Sequence, residues 1–202
     1  MSTEATGTLL HVPPYGFAYV QEFLDSDEEA GLLEFIGTLP LEPARYREFT
    51  AHRRIVSFGG RYDFSERQLH AADVIPTDLY PLRGRIAELM GVAPESIHHA
   101  SIAEYAVGTQ LGWHRDVPDF EIVGGVSLLG HARMRFRPYP HAKRDRTALN
   151  LDLEPRSAYV IRGAARWHWQ HAISPTPELR YSITFRTLRT ADITRDSSPS
   201  RP

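Results

Sequence analysis

The second half of the chain is a succession of short segments in which apolar or β-branched residues alternate with polar ones. Glycine and proline separate these segments, and such evenly spaced short strands are typical of a sandwich or a barrel. Alternate side chains of a strand lie on opposite faces, so each segment can bury one face. The predicted strands, between residues 100 and 188, are ASIAEYAV, VGGVSLL, ARMRFR, ALNLDL, SAYVIR and RYSITFRTL.

The first half of the chain mixes helices with strands. Asp25 can cap a helix that ends near Pro40, and a second helix is predicted between Pro76 and Gly91, with Pro81 in its first turn. Two further segments have the pattern of strands, YGFAYVQEF at 15–23 and RRIVSF at 53–58. The pattern therefore predicts an α+β domain built around a double-sheet β core.

Composition and charge narrow the class of protein. The 202 residues suit a single domain with a sizeable core, and no apolar run approaches the roughly 18 residues of a membrane span. The first residues, MSTEATGTLLHVPPYG, have neither the basic nor the apolar region of a signal peptide. We therefore expect a cytoplasmic protein with no membrane association.

Cysteine is absent, which excludes disulfides, thiol catalysis and thiolate metal sites, so any metal site would use nitrogen and oxygen ligands. The net charge of -2 argues against strong binding of nucleic acid through net charge alone. Two local groups of basic residues are either solvated faces or phosphate contacts. They are Arg53, Arg54 and Arg61, and then Arg133, Arg135, Arg137, Lys143, Arg144 and Arg146.

The stretch LGWHRDVPDF places His114 and Asp116 two positions apart, so both side chains share a face if the stretch is a strand. Alone, this spacing fits a polar strand end as well as a pair of metal ligands. The stretch RGAARWHWQHAI offers His168 and His171 as a third ligand. Two histidines and one carboxylate form the facial triad of non-haem Fe(II) oxygenases, although a zinc site with the same ligands stays open.

The segment RYSITFR has two arginines on one strand face. Arg180 and Arg186 lie on that face with short polar residues between them, and the opposite face is apolar. The polar face either points to solvent or holds a small dianion, with one guanidinium for each carboxylate.

Taken in order, these motifs resemble the AlkB-like family of Fe(II)/2-oxoglutarate dioxygenases. The resemblance rests on HRD at 114–116, RWHWQHAI and RYSITFR, and it extends over EYAVGTQLGWHRD, SLLGHARMRFR and LEPRSAYVIRG, roughly residues 100 to 188. The stretch RRIVSFGGRYDF resembles the segment that lies over the substrate base in these enzymes.

The resemblance implies a double-stranded β-helix, or jelly-roll, core at 98–188, with N-terminal helices and a substrate-covering segment at 15–95 packed on it. Together these form one dioxygenase domain at 1–190, followed by a disordered tail at 191–202. The implied cofactor is Fe(II), with 2-oxoglutarate and O2 as co-substrates.

The resemblance also assigns roles to residues. His114, Asp116 and His171 match the iron ligands; His171 is preferred over His168 because the family has histidine two residues after tryptophan. Arg180 matches the arginine that pairs with the distal carboxylate of 2-oxoglutarate.

Tyr105 matches a tyrosine that hydrogen-bonds the distal carboxylate, unless it is a core aromatic residue. Arg186 matches the arginine near the carboxylate that chelates iron. The sequence departs from the family at Ala103, where some members carry asparagine, and in the short interval between His171 and Arg180.

The implied activity is oxidative demethylation of N-alkylated bases in DNA or RNA, a repair reaction that releases formaldehyde, succinate and CO2. The implied partner is alkylated single-stranded nucleic acid, with no partner protein and a monomeric enzyme. Phe58 fits the core better than a base contact. The candidate substrate contacts are Arg61, Tyr62, Trp113, Asp119 and Phe120. Two alternatives remain: an oxygenase of the same fold acting on a protein or small molecule, and a non-catalytic binding module.

Overall fold

A computed structural model describes residues 9–11, 13–46, 49–63, 68–71, 73–142 and 147–189, and it describes side chains at 13–44, 53–59, 73–142 and 147–189. The predicted disordered tail at 191–202 lies outside the described residues. The boundaries of the single domain therefore stay a prediction.

Six strands and two helices make up the first half of the described chain, with two single-turn 3-10 helices at Thr77–Leu79 and Pro94–Ser96. These elements are β1 (Leu9–His11), β2 (Phe17–Val20), α1 (Ser26–Gly37), β3 (Glu42–Tyr46), β4 (Phe49–Phe58), β5 (Gly60–Asp63), β6 (Gln68–Ala71) and α2 (Tyr80–Met90).

Eight strands and one short helix follow. They are β7 (Ile97–Tyr105), β8 (Leu111–His114), β9 (Phe120–Leu128), β10 (Ala132–Pro138), β11 (Leu149–Leu153), β12 (Ala158–Ile161), α3 (Gly163–Trp167), β13 (Trp169–Ile173) and β14 (Arg180–Leu188).

The strands form two larger antiparallel sheets and one hairpin. The major sheet has the order β1-β2-β12-β9-β14-β7-β4-β3, the minor sheet has the order β11-β10-β13-β8, and β5 pairs with β6. Neighbours in the sheets are mostly distant in sequence, as in a jelly roll. The predicted α+β class with a jelly-roll core is confirmed.

The major sheet is buried on both faces, and the alternation of its strands assigns residues to two cores. Tyr159 and Ile161 of β12 face the minor sheet, where they pack with Phe136 of β10. Ala158 and Val160 of the same strand belong to the second core. The residues of that core on α1 and α2 include Ile36, Ile86 and Met90.

Local signals determine where the helices begin and end, as predicted. The Asp25 side chain accepts a hydrogen bond from the Glu28 backbone nitrogen at 2.8 Å, and the Glu28 side chain accepts one from the Asp25 backbone nitrogen at 2.9 Å. This capping box begins α1. Gly91 ends α2 in the left-handed conformation, with φ of 68°.

Two adjacent glycines in β9 allow close packing on both faces of the major sheet. A Cβ atom at Gly124 would lie 2.7 Å from Met90 Sδ of α2, and one at Gly125 would lie 2.2 Å from the Tyr159 ring. Side chains at these positions would push α2 and the Tyr159 ring away from the sheet.

The structure contains elements that the sequence pattern did not predict. RRIVSF is the end of the longer strand β4, which belongs to a group of four strands between α1 and α2. The helix α3 interrupts the segment between β12 and β13. Among the described residues, no helix has the length and apolar character needed to span a bilayer.

Gly125→Ala should destabilise the fold by about 1–3 kcal/mol, because the added methyl group collides with the Tyr159 ring. Urea denaturation of the variant and the parent chain measures the free energy of unfolding. Gly31→Ala in α1 is the matched control, since nothing lies within 4 Å of the added Cβ atom. The control should gain roughly 0.5–1 kcal/mol from helix propensity. Equal stability of Gly125→Ala and the parent would contradict the close approach of Tyr159.

Candidate functional site

A cavity of about 400 Å³ lies between the two sheets. Three neighbouring strands of the major sheet contribute alternate residues to its wall, which is the expected period of two. The residues on this wall are Arg53, Ile55 and Ser57 of β4, His99, Ser101, Ala103 and Tyr105 of β7, and Arg180, Ser182, Thr184 and Arg186 of β14. The minor sheet closes the cavity from the opposite side.

The opposite wall brings His114, Asp116 and His171 together. His114 ends β8 and pairs in register with His171 of β13, and a bulge in β8 lies between this pair and the pair of Leu111 with Ile173. One ligand atom from each of the three residues lies within 4.8 Å of the other two. The ring centroids of the two histidines are 4.2 Å apart. The three side chains can therefore bind one metal ion on a single face.

The hydrogen bonds around the three residues leave metal-binding atoms available. His114 Nδ1 lies 2.9 Å from the Gly112 carbonyl oxygen, which can only accept, so Nδ1 carries the proton and Nε2 the lone pair. Arg186 Nε donates to Asp116 Oδ1 at 2.9 Å. Asp116 Oδ2 is buried and has no hydrogen-bond partner among the described residues. This donor set fits Fe(II).

The electrostatics keep all three ligands in their metal-binding protonation states. Burial raises the pKa of Asp116, but opposing interactions, of which that with the Arg186 charge is the largest, hold that pKa well below its usual range. Burial also lowers the pKa of His114, and it lowers the pKa of His171 to about 3. Near neutral pH the carboxylate is therefore ionised and both imidazoles are neutral.

A second group of cavity residues suits an anion. Arg180 is 1% exposed, and its Nε donates to Ser127 Oγ at 2.9 Å. Its NH1 nitrogen is buried and has no hydrogen-bond partner among the described residues. Tyr105 pairs in register with Arg180, and the Tyr105 hydroxyl accepts a hydrogen bond from Arg53 at 3.2 Å. Such a cationic pocket fits the carboxylate of 2-oxoglutarate.

Arg186 connects the metal ligands to the major sheet. Besides Asp116, it donates to Ser101 Oγ at 3.0 Å and to His99 Nδ1 at 3.2 Å. Burial lowers the pKa of His99 to about 3, so this ring is neutral and can accept the hydrogen bond. The ring of Phe120 lies 4.8 Å from that of His99 and forms an aromatic wall of the cavity.

Arg166 of α3 holds the segment that follows Asp116. It is 2% exposed, and its NH2 nitrogen donates to the carbonyls of Val117 and Phe120 at 2.6 and 2.8 Å. Arg115 NH1 donates in the other direction, to the carbonyl of Trp167, at 3.0 Å. Together these bonds tie the loop between β8 and β9 to α3.

The predicted residues separate into three groups. Those in the cavity are His114, Asp116, His171, Tyr105, Arg180, Arg186 and Phe120. Two lie elsewhere: Trp113 contacts Arg135 and Arg137, and Asp119 is outside the cavity wall. The side chains of Arg61 and Tyr62 lie outside the described residues.

The structure also gives the positions of the other residues that the sequence singled out. His168 is exposed at the end of α3, and it is not part of the metal-binding group. Phe58 packs in the core, as expected. The basic group in β4 divides, because Arg53 faces the cavity whereas Arg54 pairs with Glu104 at 2.7 Å.

Three residues of the cavity or of the loop beside it were not predicted in these roles from the sequence: His99, Arg53 and Arg166. His99 could have been found, because it lies six positions before Tyr105 and so shares its strand face. Arg166 has no local signal, since its acceptors are backbone carbonyls more than 40 positions away in sequence.

A jelly roll with two histidines and one aspartate facing inward, opposite a buried arginine, defines the class of 2-oxoglutarate-dependent non-haem iron oxygenases. Residues 38–186 match the model of the 2OG-Fe(II) oxygenase superfamily, and the chain belongs to that family. It is a dioxygenase with Fe(II) as cofactor and 2-oxoglutarate and O2 as co-substrates, and its fold is of the AlkB-like type.

The chain is also similar to individual proteins. Uncharacterized protein L905 of Acanthamoeba polyphaga mimivirus is 24% identical over 90% of the chain and 89% of its own length. The tRNA (carboxymethyluridine(34)-5-O)-methyltransferase ALKBH8 of Mus musculus is 25% identical over 82% of the chain, which spans only 25% of that protein. The structure of OsALKBH1 superposes with a TM-score of 0.72 at 16% identity, covering 89% of this chain and 100% of that one.

Between about pH 7.5 and 5.5, metal affinity should fall less steeply than it would at a site with two ordinary histidines. A histidine with the ordinary pKa of about 6.5 would lose up to tenfold in affinity for each pH unit below that value. Here burial lowers the pKa of both imidazoles, that of His171 to about 3, so protons compete with the metal at a lower pH than usual. Calorimetric titration with Mn(II) at several pH values measures this dependence.

Asp116→Asn is the control for that titration, and it should weaken Mn(II) binding at every pH because the ionised ligand is lost. A loss of about a hundredfold between pH 7.5 and 5.5 in the parent chain, as two ordinary histidines would give, would contradict the lowered pKa values.

Proposed function

We propose that the protein oxidatively demethylates N-alkylated bases in single-stranded nucleic acid and so repairs alkylation damage. The observation that supports this proposal is the cavity of about 400 Å³, which is lined by the three metal-binding residues, by arginines and by Phe120. The arginines suit a co-substrate with carboxylates, and the Phe120 ring suits a planar base.

In this proposal His114, Asp116 and His171 hold Fe(II), with Asp116 Oδ2 as the carboxylate ligand. When bound, iron together with O2 and 2-oxoglutarate supplies the oxidation of a C–H bond, and 2-oxoglutarate becomes succinate and CO2. Arg186 keeps Asp116 Oδ1 occupied, so that the aspartate presents one oxygen atom in a fixed direction.

Arg180 binds the distal carboxylate of 2-oxoglutarate through its NH1 nitrogen, and the Tyr105 hydroxyl contributes a hydrogen bond to the same group. Ser182 and Thr184 lie between the two arginines on the cavity face of β14. Their small side chains leave space for the carbon chain of the co-substrate. Arg186 then lies near the carboxylate that chelates the metal.

The substrate is a base that has left its stack, because a paired base cannot reach atoms at the bottom of a cavity. One oxygen atom of O2 enters the N-methyl group as a hydroxyl. The C–N bond then breaks, its electron pair stays on the base nitrogen, the hydroxyl proton is released and formaldehyde leaves. The similarity to ALKBH8, which by its name modifies tRNA, supports a nucleic-acid substrate. We further propose that one catalytic domain at 1–190 acts as a cytoplasmic monomer.

A protein or small-molecule substrate is the second candidate, and the short connection between β13 and β14 favours it. Thr176 ties this connection to the loop after β7, because its hydroxyl donates to the Ala106 carbonyl at 3.0 Å. A short, tied connection covers less of the substrate than a long one would.

Arg180→Gln should raise the KM for 2-oxoglutarate about ten- to a hundredfold, the effect of one lost charge-assisted hydrogen bond. Arg54→Gln is the matched control, because Arg54 carries the same charge but pairs with Glu104 away from the cavity. Succinate formation at increasing 2-oxoglutarate concentration measures both variants. An unchanged KM in folded Arg180→Gln would assign the carboxylate to another residue.

Formaldehyde release from single-stranded oligonucleotides that carry 1-methyladenine or 3-methylcytosine tests the activity. It should require Fe(II), ascorbate and 2-oxoglutarate, and it should be lost in His171→Ala. Succinate without formaldehyde would refute the nucleic-acid substrate and favour the second candidate. Neither product, in protein that binds Fe(II), would favour a non-catalytic binding module.

A further inference from the structure

The outer face of the minor sheet, opposite the cavity, carries a cluster of arginines around one tryptophan. Alternation along β10 sends Phe136 inward, toward His171, and its neighbours outward. We call this surface the outer arginine face. It consists of Trp113 on β8, Gln170 and Ala172 on β13, Arg133, Arg135 and Arg137 on β10, and Asn150 and Asp152 on β11.

Trp113 extends across a neighbouring strand to reach the arginines. The guanidinium carbons of Arg135 and Arg137 lie 5.0 and 4.5 Å from its ring centroid. These arginines pair in register with Ala172 and Gln170 of β13, the strand between β8 and β10. The indole ring therefore covers β13, which explains why Ala172 is only 6% exposed. The tryptophan and both arginines are held together by cation–π contacts.

The arginines of this surface differ in whether a carboxylate neutralises their charge. Arg133 pairs with Asp152, with 2.7 Å between Nε and Oδ1. Within the described parts of the chain, neither Arg135 nor Arg137 pairs with a carboxylate, and Arg137 Nε donates instead to the neutral Gln170 oxygen at 2.8 Å. Two half-buried guanidinium groups are thus held at this surface with no carboxylate partner among the described residues, which is the complement of a phosphate chain.

The outer arginine face continues to the mouth of the cavity. Arg115 contributes to the cavity wall, and its guanidinium carbon lies 3.8 Å from the ring centroid of Tyr139. Tyr139 follows directly after β10 and is 41% exposed. A chain leaving the cavity can therefore pass Arg115 and Tyr139 before it reaches Arg137 and Trp113.

We infer that the outer arginine face binds the single-stranded nucleic acid that flanks the base in the cavity. Arg135 and Arg137 contact phosphates, and Tyr139 offers a ring on which a neighbouring base stacks. Aromatic rings beside arginines favour nucleic acid over an acidic protein, because every base has a face that stacks on an aromatic ring. This inference rests on the proposed function, since it assumes a nucleic-acid strand at the cavity.

The salt dependence of binding tests the inference on the full chain with a fluorescein-labelled, unmodified single-stranded oligonucleotide. The slope of log K against log salt should shrink by about 0.7 for each phosphate contact that is lost. Arg135→Gln and Arg137→Gln should each show this change, and the double variant should bind about tenfold or more weakly at low salt. Fluorescence anisotropy measures both quantities.

Arg133→Gln is the matched control, with the same charge change on the same strand at a residue that already pairs with Asp152. Its slope should equal that of the parent. The inference would be overturned if the folded double variant had the same salt slope as the parent chain. It would also be overturned if Arg133→Gln reduced the slope as much as Arg135→Gln or Arg137→Gln. Displacement of the oligonucleotide by a polyglutamate peptide at equal charge concentration would assign the surface to an acidic protein instead.

Formaldehyde assays separate failure of this inference from failure of the proposed function. If both are right, the double variant loses more kcat/KM on a long methylated oligonucleotide than on a methylated mononucleotide. Equal losses of kcat/KM on the two substrates would overturn the inference about the outer arginine face and leave the proposed demethylase activity standing. Oligonucleotide binding that depends on Arg135 and Arg137, without formaldehyde release from any substrate, keeps the surface and refutes the demethylase.

Discussion

The ion pair between Arg186 and Asp116 is the interaction on which the rest of the site depends. A buried carboxylate is costly unless a positive charge and hydrogen bonds stabilise it. Arg186 supplies both, and it binds only one carboxylate oxygen, so that the other can serve the metal. Because Arg186 lies on the major sheet and Asp116 follows a strand of the minor sheet, the same contact also aligns the two sheets.

The cavity and the loop beside it keep several positive charges in an interior that would otherwise exclude them. Arg166 and Arg180 are the largest of the fully buried side chains described, and hydrogen bonds to backbone carbonyls or a serine hydroxyl satisfy part of each guanidinium. The remaining buried nitrogen of Arg180 faces the cavity side of β14, where an anion would complete its hydrogen bonds. A bound dicarboxylate would therefore stabilise the cavity, because a buried guanidinium nitrogen without a hydrogen-bond partner is unfavourable.

Local sequence signals correctly predicted those elements that are determined by residues close together in the chain. The Asp25 cap, the Gly91 terminus and the two faces of β14 all follow from residues within one turn or one strand. The strands from β3 to β6 were mostly missed, because Pro43 and scattered charges weaken the alternation there. Their pairing depends on contacts such as Ile55 with Ala103, which lie far apart in the sequence.

By itself the sequence determined the chemistry available at the site, since residue type and order alone identify two histidines, one aspartate and two arginines with period-two spacing. Only the tertiary structure decided which of these meet. Register pairing of β8 with β13 selects His171 and leaves His168 exposed, and strand alternation turns Trp113 away from the cavity. The physical reason is that metal ligands and charge partners must meet within a few ångströms, and backbone pairing between distant strands sets those distances.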